Sequence, residues 1–348
     1  MIKDTSDMKR FLVIRTDFLG DSVLTSVFIR MLSQIPDVIV DSLCFEYNFA
    51  AFKYNPHLAA KYYLYKAPII EEEKLHNQAQ LRQLGSKSYT AVFMLNRDLK
   101  TYSLLKYIST NKVFGHRLGI KSTRSKLFCL ITELLGKYNY IPYDNALHEV
   151  VNQVNLLRLA LPWLRTQLPQ LNNDINSIQN LTIPSNCYFY TESFNPENDI
   201  IKDKNKVVVN ISGRRDTVRY LPLSLARCII EDLLKLNLEI LVVATKDDEL
   251  RAQQLLDEID HENIGLCTET DLFKVSNLMS RCLYYIGADG GLLHIAAGLH
   301  MHCIGLFHAQ NIRAWHPWSK RQICLQSSTK KIYDLTSVQV VHALKELG

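Results

Sequence analysis

Short apolar runs rich in β-branched residues alternate along this chain with segments whose apolar positions recur every three or four residues. "FLVIR" (11–15) reads as a strand ended by "TDFLGD". In the following "SVLTSVFIRMLSQI", Val23, Leu24, Val27 and Met31 keep helical spacing, and Asp21 or Ser22 is placed as the N-cap. "VIVDSLCF" (38–45) is the next strand, and "YTAVFML" (89–95) and "KVFG" (112–115) extend the same sheet. This β–loop–α–β opening predicts a parallel sheet covered by helices. "HEVVNQVNLLRLALPWL" (148–164) predicts an amphipathic helix with Val151, Val154, Leu157 and Leu161 on one face.

The pattern then fails and restarts. "RTQLPQLNNDINSIQNLTIPSN", rich in Asn, Gln and Pro, is the linker candidate. Beyond it come the strand "KVVVNIS" (206–212), a helix, the strand "LEILVVA", a helix opened by acids and the short strand "NIGLC". A helix "DLFKVSNLMSRC", the strand and loop "LYYIGADGG", the helix "LLHIAAGL", the strand "HCIGLF" and a final helix "LTSVQVVHALKEL" complete the alternation. Two Rossmann-like domains of the α/β class are therefore expected, 1–175 and 176–348, with the last helix a candidate to pack back on the first domain. A length of 348 residues also favours two cores, since one usually stops growing at roughly 250–300. Open parallel sheets bind ligands beyond the carboxyl ends of their strands. Two such domains facing across a central cleft would present "RTDFLGD", "NISGRRDTVR", "ATKDDE", "GADGG" and "LFHAQN" to it.

Composition narrows the class without naming it. The chain is 47% hydrophobic and 22% charged, ordinary for a globular protein, and its net charge of +5 lacks the strong basic footprint of a nucleic-acid binder. Between residues 97 and 137, however, Arg97, Lys100, Lys106, Lys112, Arg117, Lys121, Arg124, Lys126 and Lys137 face only Asp98 and Glu133. That stretch is either a solvated surface or a face for an anionic partner: acidic lipid headgroups, a phosphorylated glycan or RNA. The eight cysteines lie far apart, several inside apolar runs, which fits reduced buried thiols better than disulfides or a zinc site. Without a secretory segment or a membrane-spanning run, a cytoplasmic protein is expected, with peripheral membrane contact open.

Three loops carry candidate chemistry. "NISGRRDTVRYLP" (210–222) sets Ser212, Gly213, Arg214, Arg215 and Arg219 after a strand, and guanidinium forks pair well with phosphate oxygens. The bland alternative is an exposed basic loop pairing with Asp216. "GADGG" places Asp289, Gly290 and Gly291 at a helix start, whose free N–H groups favour an anion; a tight turn would explain one glycine but not both. The loop lacks the G-x-G-x-x-G spacing of a nicotinamide site and the lysine of a P-loop. His294, on an apolar helix, is either a packed residue or a ligand contact. His300 and His302 have no Cys or acid at ligand spacing, so no metal site is expected. "RTDFLGDSVLT" holds Asp17 and Asp21; Asp21 is either a helix cap or a general base.

In sequence, these blocks resemble a known family. "FLVIRTDFLGDSVLTSVFIRML", "NISGRRDTVRYLP" and "YYIGADGGLLHIAAGLHMHCIGLFHAQNIRAWHPW" are similar to the first, central and last signature blocks of the heptosyltransferases, glycosyltransferase family 9. "NKVFGHRLGI" and "HEVVNQVNLLRLALPWL" echo its middle region. The resemblance implies a GT-B fold and inverting, metal-independent sugar transfer without cofactor. The expected transfer carries heptose from ADP-heptose to the lipopolysaccharide inner core or a lipid A precursor. It implies Asp21 as catalytic base, and Arg219 at the position of a donor-binding lysine. Asp289, Gly290, Gly291 and His294 fall on its "D-T/S-G-x-x-H" block, with Gly290 replacing the usual hydroxyl residue. It further implies Asp248, with Glu249 beside it, at the donor ribose and Leu272 near the base. Ser212, Arg214 and Arg215 would complete the donor site, while Asp17, Arg117, Lys121 and Arg124 would meet the anionic acceptor at the inner membrane. Two rivals stand beside this reading: a non-catalytic glycan-binding relative and a nicotinamide-dependent oxidoreductase.

Overall fold

The computed structural model describes residues 8–117, 131, 132, 134, 136–168, 182–198, 202–214 and 218–348. The chain divides into two compact units, Met1–Pro184 and Ser185–Gly348, and the division lies inside the Asn-, Gln- and Pro-rich stretch.

The first unit holds strands β1 (Lys9–Ile14), β2 (Val38–Phe45), β3 (Ala60–Leu64), β4 (Ser88–Met94), β5 (Ser109–His116) and β6 (Tyr138–Ile141). All pair in parallel, in the order β3-β2-β1-β4-β5-β6. Helices α1 (Leu19–Ser33), α2 (Glu71–Gly85) and α3 (Glu149–Gln167) are among its connections. Phe11, Leu12, Val13 and Ile14 on β1 are at most 1% exposed, so both faces of the strand are covered and its sequence is a continuous apolar run. The edge rings of Phe11 and Phe28 meet Phe93 at centroid distances of 5.8 and 5.2 Å, fixing α1 over β1 and β4.

The second unit repeats the plan with β7 (Asp203–Asn210), β8 (Glu239–Val243), β9 (Ile264–Cys267), β10 (Cys282–Ala288), β11 (His302–Phe307) and β12 (Gln322–Gln326). Its order is β12-β11-β10-β7-β8-β9, the same winding read from the other edge. Helices α4 (Leu223–Leu234), α5 (Glu249–Ile259), α6 (Leu272–Met279), α7 (Gly291–Gly298) and α8 (Ser337–Leu347) accompany these strands. The last helix, α8, packs on α4, β11 and β12: Val340, Ala343, Leu344 and Leu347 join the core built from β7, β8 and α4. Its apolar face is thus buried within its own unit.

Each sheet reverses its strand order once, between β1 and β4 and between β7 and β10. That reversal splits the two loops leaving the paired strands and opens a crevice at their carboxyl ends. The loops opening there begin at Arg15 and Leu95 in the first unit and at Ile211 and Asp289 in the second. The described cysteines are free; Cys44, Cys187, Cys267, Cys282 and Cys303 are buried, and Cys228 is exposed on α4.

Candidate active site

Immediately after β1 the chain carries a buried guanidinium. Arg15, 2% exposed, reaches Glu149 with Nη1 at 2.6 Å, and with Nη2 reaches Asp21 at 2.8 Å and Asp17 at 3.3 Å. A buried charge needs such partners, and here one cation answers three carboxylates. Asp21 is not the helix cap: α1 starts after Phe18, and Asp21 sits in the first turn with its carboxylate turned to Arg15. Ser22 is not the cap either, because its hydroxyl donates back to the Phe18 carbonyl and accepts from Asn48. Burial pushes the Asp21 carboxyl up to about 6, with Arg15 pulling it down and Glu149 and Asp17 pushing it further up. Asp17 is also raised by burial, against Arg15, and accepts a 2.5 Å hydrogen bond from Asn96 on the neighbouring β4 loop. Asn96 in turn accepts from the Thr16 amide at 2.8 Å, and the Tyr47 hydroxyl donates to the Thr16 carbonyl at 2.5 Å. The loop that holds Asp17 and leads into α1 is therefore tied to the loops after β2 and β4.

The corresponding loop of the second unit is cationic. Its first turn folds back on itself: the Arg219 amide donates to the Arg214 carbonyl at 2.8 Å. Only glycine allows this approach at 213, since a Cβ there would lie 1.7 Å from the Arg219 carbonyl oxygen. Arg219 reaches Asp289, on the β10 loop, at 3.4 Å, while its Nε is buried with no hydrogen-bond partner among the described residues. Burial raises the Asp289 carboxyl to about 6 against the pull of Arg219. Ser212 binds the loops together below: its hydroxyl donates to Asp248 at 2.7 Å and accepts from the Thr245 amide at 2.8 Å. Asp248 is 3% exposed and also meets Arg251, whereas Glu249 is the more open acid, paired with Lys246 and Thr268.

Gly291 opens α7, so the first-turn N–H groups of that helix adjoin Asp289 and Gly290. The backbone of Gly290 is extended, with φ 174°, a conformation open to any residue. A Cβ there would meet nothing nearer than the Ala288 carbonyl at 3.9 Å. Neither a tight turn nor crowding by the protein requires glycine at 290, and the sequence reading of a ligand lying close to that backbone stands apart from this geometry. His294 is buried in α7, and Leu272 is the half-buried first residue of α6.

The chain matches the model of "Glycosyltransferase family 9 (heptosyltransferase)" over residues 78–343. It belongs to that family. The heptosyltransferase WaaC of E. coli, solved with ADP, superposes with a TM-score of 0.75 at 17% identity, covering 97% of this chain and 100% of that one. A family 9 glycosyl transferase from Veillonella parvula gives 0.75 at 16% identity, covering 97% of both chains. The E. coli ADP-heptose lipopolysaccharide heptosyltransferase II gives 0.71 at 15%, covering 98% of both. No curated protein sequence matches the chain. The two parallel six-stranded sheets carry the GT-B fold of these structures, and family membership makes the protein a glycosyltransferase.

Within this family 9 member, Arg219, Asp289 and the α7 start come together in one unit, as do Asp17 and Asp21 in the other. Arg214 is exposed beside them, while Arg215 lies outside the described residues. Of the proposed acceptor cations, Arg117 is exposed at the end of β5, and Lys121 and Arg124 lie outside the described residues. Other members of the basic stretch have local partners: Arg97 covers the Tyr143 ring at 3.7 Å and Lys112 donates to the Gly136 carbonyl at 2.6 Å. Sequence reading missed Arg15 and Glu149. The signal for the first was a charged residue ending the apolar run "FLVIR"; for the second, an acid opening an otherwise apolar helix face.

Proposed function

We propose that this glycosyltransferase moves heptose from ADP-heptose to the inner core of lipopolysaccharide, with inversion and without a metal ion, at the cytoplasmic face of the inner membrane. The observation that carries the reading is the Asp21 carboxylate, held by Arg15 at 2.8 Å at the carboxyl end of β1 and raised to about 6. A base of that strength is ionised at neutral pH yet still accepts a proton in the transition state. The acceptor hydroxyl attacks the anomeric carbon and gives its proton to Asp21 as the bond to ADP breaks. Negative charge grows on the leaving diphosphate, where Arg219, Arg214 and the α7 N-terminus would receive it. Asp289 holds Arg219 in place and is suited to a sugar hydroxyl rather than to phosphate.

Support for the donor comes from WaaC, solved with ADP and with ADP-2-deoxy-2-fluoro heptose. Among the described residues no helix is long and apolar enough to cross a membrane, so the lipid-linked acceptor would be met peripherally. The test is turnover of ADP-heptose beside UDP- and GDP-hexoses on a core acceptor, followed by nucleotide release and the anomeric configuration of the product. Selective release of ADP with an inverted product supports the proposal. Preference for a UDP-hexose overturns the donor. Binding of core oligosaccharide with no thermal shift from any nucleotide identifies the non-catalytic alternative.

A further inference from the structure

Glu149 lies 134 residues from Arg15 in sequence, yet at 2% exposure its carboxylate touches that guanidinium. The N-terminus of α3 is built to hold it. The His148 ring caps the helix by accepting from the Val150 amide at 3.1 Å. Gln153, one turn on, donates to Glu149 at 3.0 Å, and the Tyr143 hydroxyl donates to it at 2.6 Å. Burial works to raise this carboxyl, but Arg15 and the Gln153 and Tyr143 hydrogen bonds hold it down to about 2. Glu149 therefore remains an anion at any working pH.

We infer that Glu149 is a positioning residue for sugar transfer: by binding one side of the Arg15 guanidinium, it restrains that cation's pull on Asp21 and keeps the Asp21 carboxylate basic. The inference rests on Asp21 being the base. The geometry supports it because the two acids take different nitrogens of one guanidinium, Nη1 for Glu149 and Nη2 for Asp21. One positive charge cannot compensate both fully, and Glu149, the more deeply buried acid with the shorter contact, takes the larger share, the more so when it loses another donor. The other ionisable groups around the cluster are Asp17 on the β1 loop, Arg97 and Asp98 after β4, Tyr47 after β2, His116 on β5 and Tyr143 before α3. His116 is held neutral at working pH, because burial lowers it to about 4, so it adds no competing cation.

The test is the pH profile of kcat/KM in the full-length protein and its E149Q and Y143F variants, with D21N as reference. Wild type should show an acid limb near pH 6 that vanishes in D21N. E149Q should move the limb down by about one unit and lower the plateau about three- to tenfold, because a weaker base accepts the proton less readily. Y143F, which leaves Glu149 charged with fewer donors, should move the limb up by about a few tenths of a unit. A merely structural Glu149 would lower rates with the limb unmoved, and that result overturns the inference. Should E149Q fail to fold, an unmoved limb in Y143F overturns it equally. A limb that survives D21N instead refutes Asp21 as the base, which is a separate failure.

Discussion

Two sheets of the same winding gather opposite charge at the same point in it. Beyond β1 and β4, three carboxylates surround one guanidinium. Beyond β7 and β10, Arg214, Arg219 and an open helix start adjoin Asp289. Strand order decides where chemistry can sit, because it splits the loops at one place in each sheet. The side chains that loops and helix starts bring to that place decide its sign. An excess of acid leaves one carboxylate basic, as a proton acceptor needs to be, and an excess of donors suits a departing diphosphate.

The sharpest way to break this contrast is to neutralise one side only. D21N should lower kcat by about 10² to 10⁴ while leaving ADP affinity unchanged, measured by single-turnover rates and calorimetry. A matching loss of ADP affinity would show that the acidic loop also serves the donor. The same variant should gain stability at neutral pH. A carboxyl raised in the folded state is favoured when protonated, so the Asp21 carboxyl removes up to about 3 kcal/mol as pH climbs from about 4 to 6; D21N lacks that share of the loss and keeps the one due to Asp289. Urea melts across that range check the sign.

On the cationic side, R219A should lower kcat/KM by about 10² and weaken ADP binding together, since a donor aimed at growing charge is lost. Unchanged ADP binding would place the diphosphate elsewhere. The smallest effects separate two glycines of that unit. G213A should displace the loop and weaken ADP binding about tenfold, because its Cβ would collide with the Arg219 backbone. G290S should fold normally and tighten ADP binding about three- to tenfold, the worth of one added hydrogen bond. Equal behaviour of the two would mean that Gly290 also serves the backbone.

The frame was legible where strands are covered on both faces. β2 and β11 coincide with "VIVDSLCF" and "HCIGLF", and β1 takes in Phe11 to Ile14 of its apolar run but starts earlier, at Lys9. The strands that escaped notice are β3, β6 and β12, all at or near sheet edges, whose partly exposed sequences "AKYYL", "YNYI" and "QICLQ" carry no unbroken apolar signal. The candidate site was legible as loops; residue type alone left Asp21 between helix cap and base, and the family resemblance singled out Asp21, Arg219 and Asp289. Arg15 and Glu149 could not be paired, since their contact depends on how the sheet brings β1 and α3 together across 134 positions.

The shared winding of the two units bears on how such an enzyme can change. Each unit has its own core, and the side chains of the candidate site gather at the carboxyl ends of its central strands, in the loops and first helical turns around them. On the proposed division of donor and acceptor between them, substitutions around one site leave the core of the other half intact, so donor and acceptor preference would be free to change one half at a time.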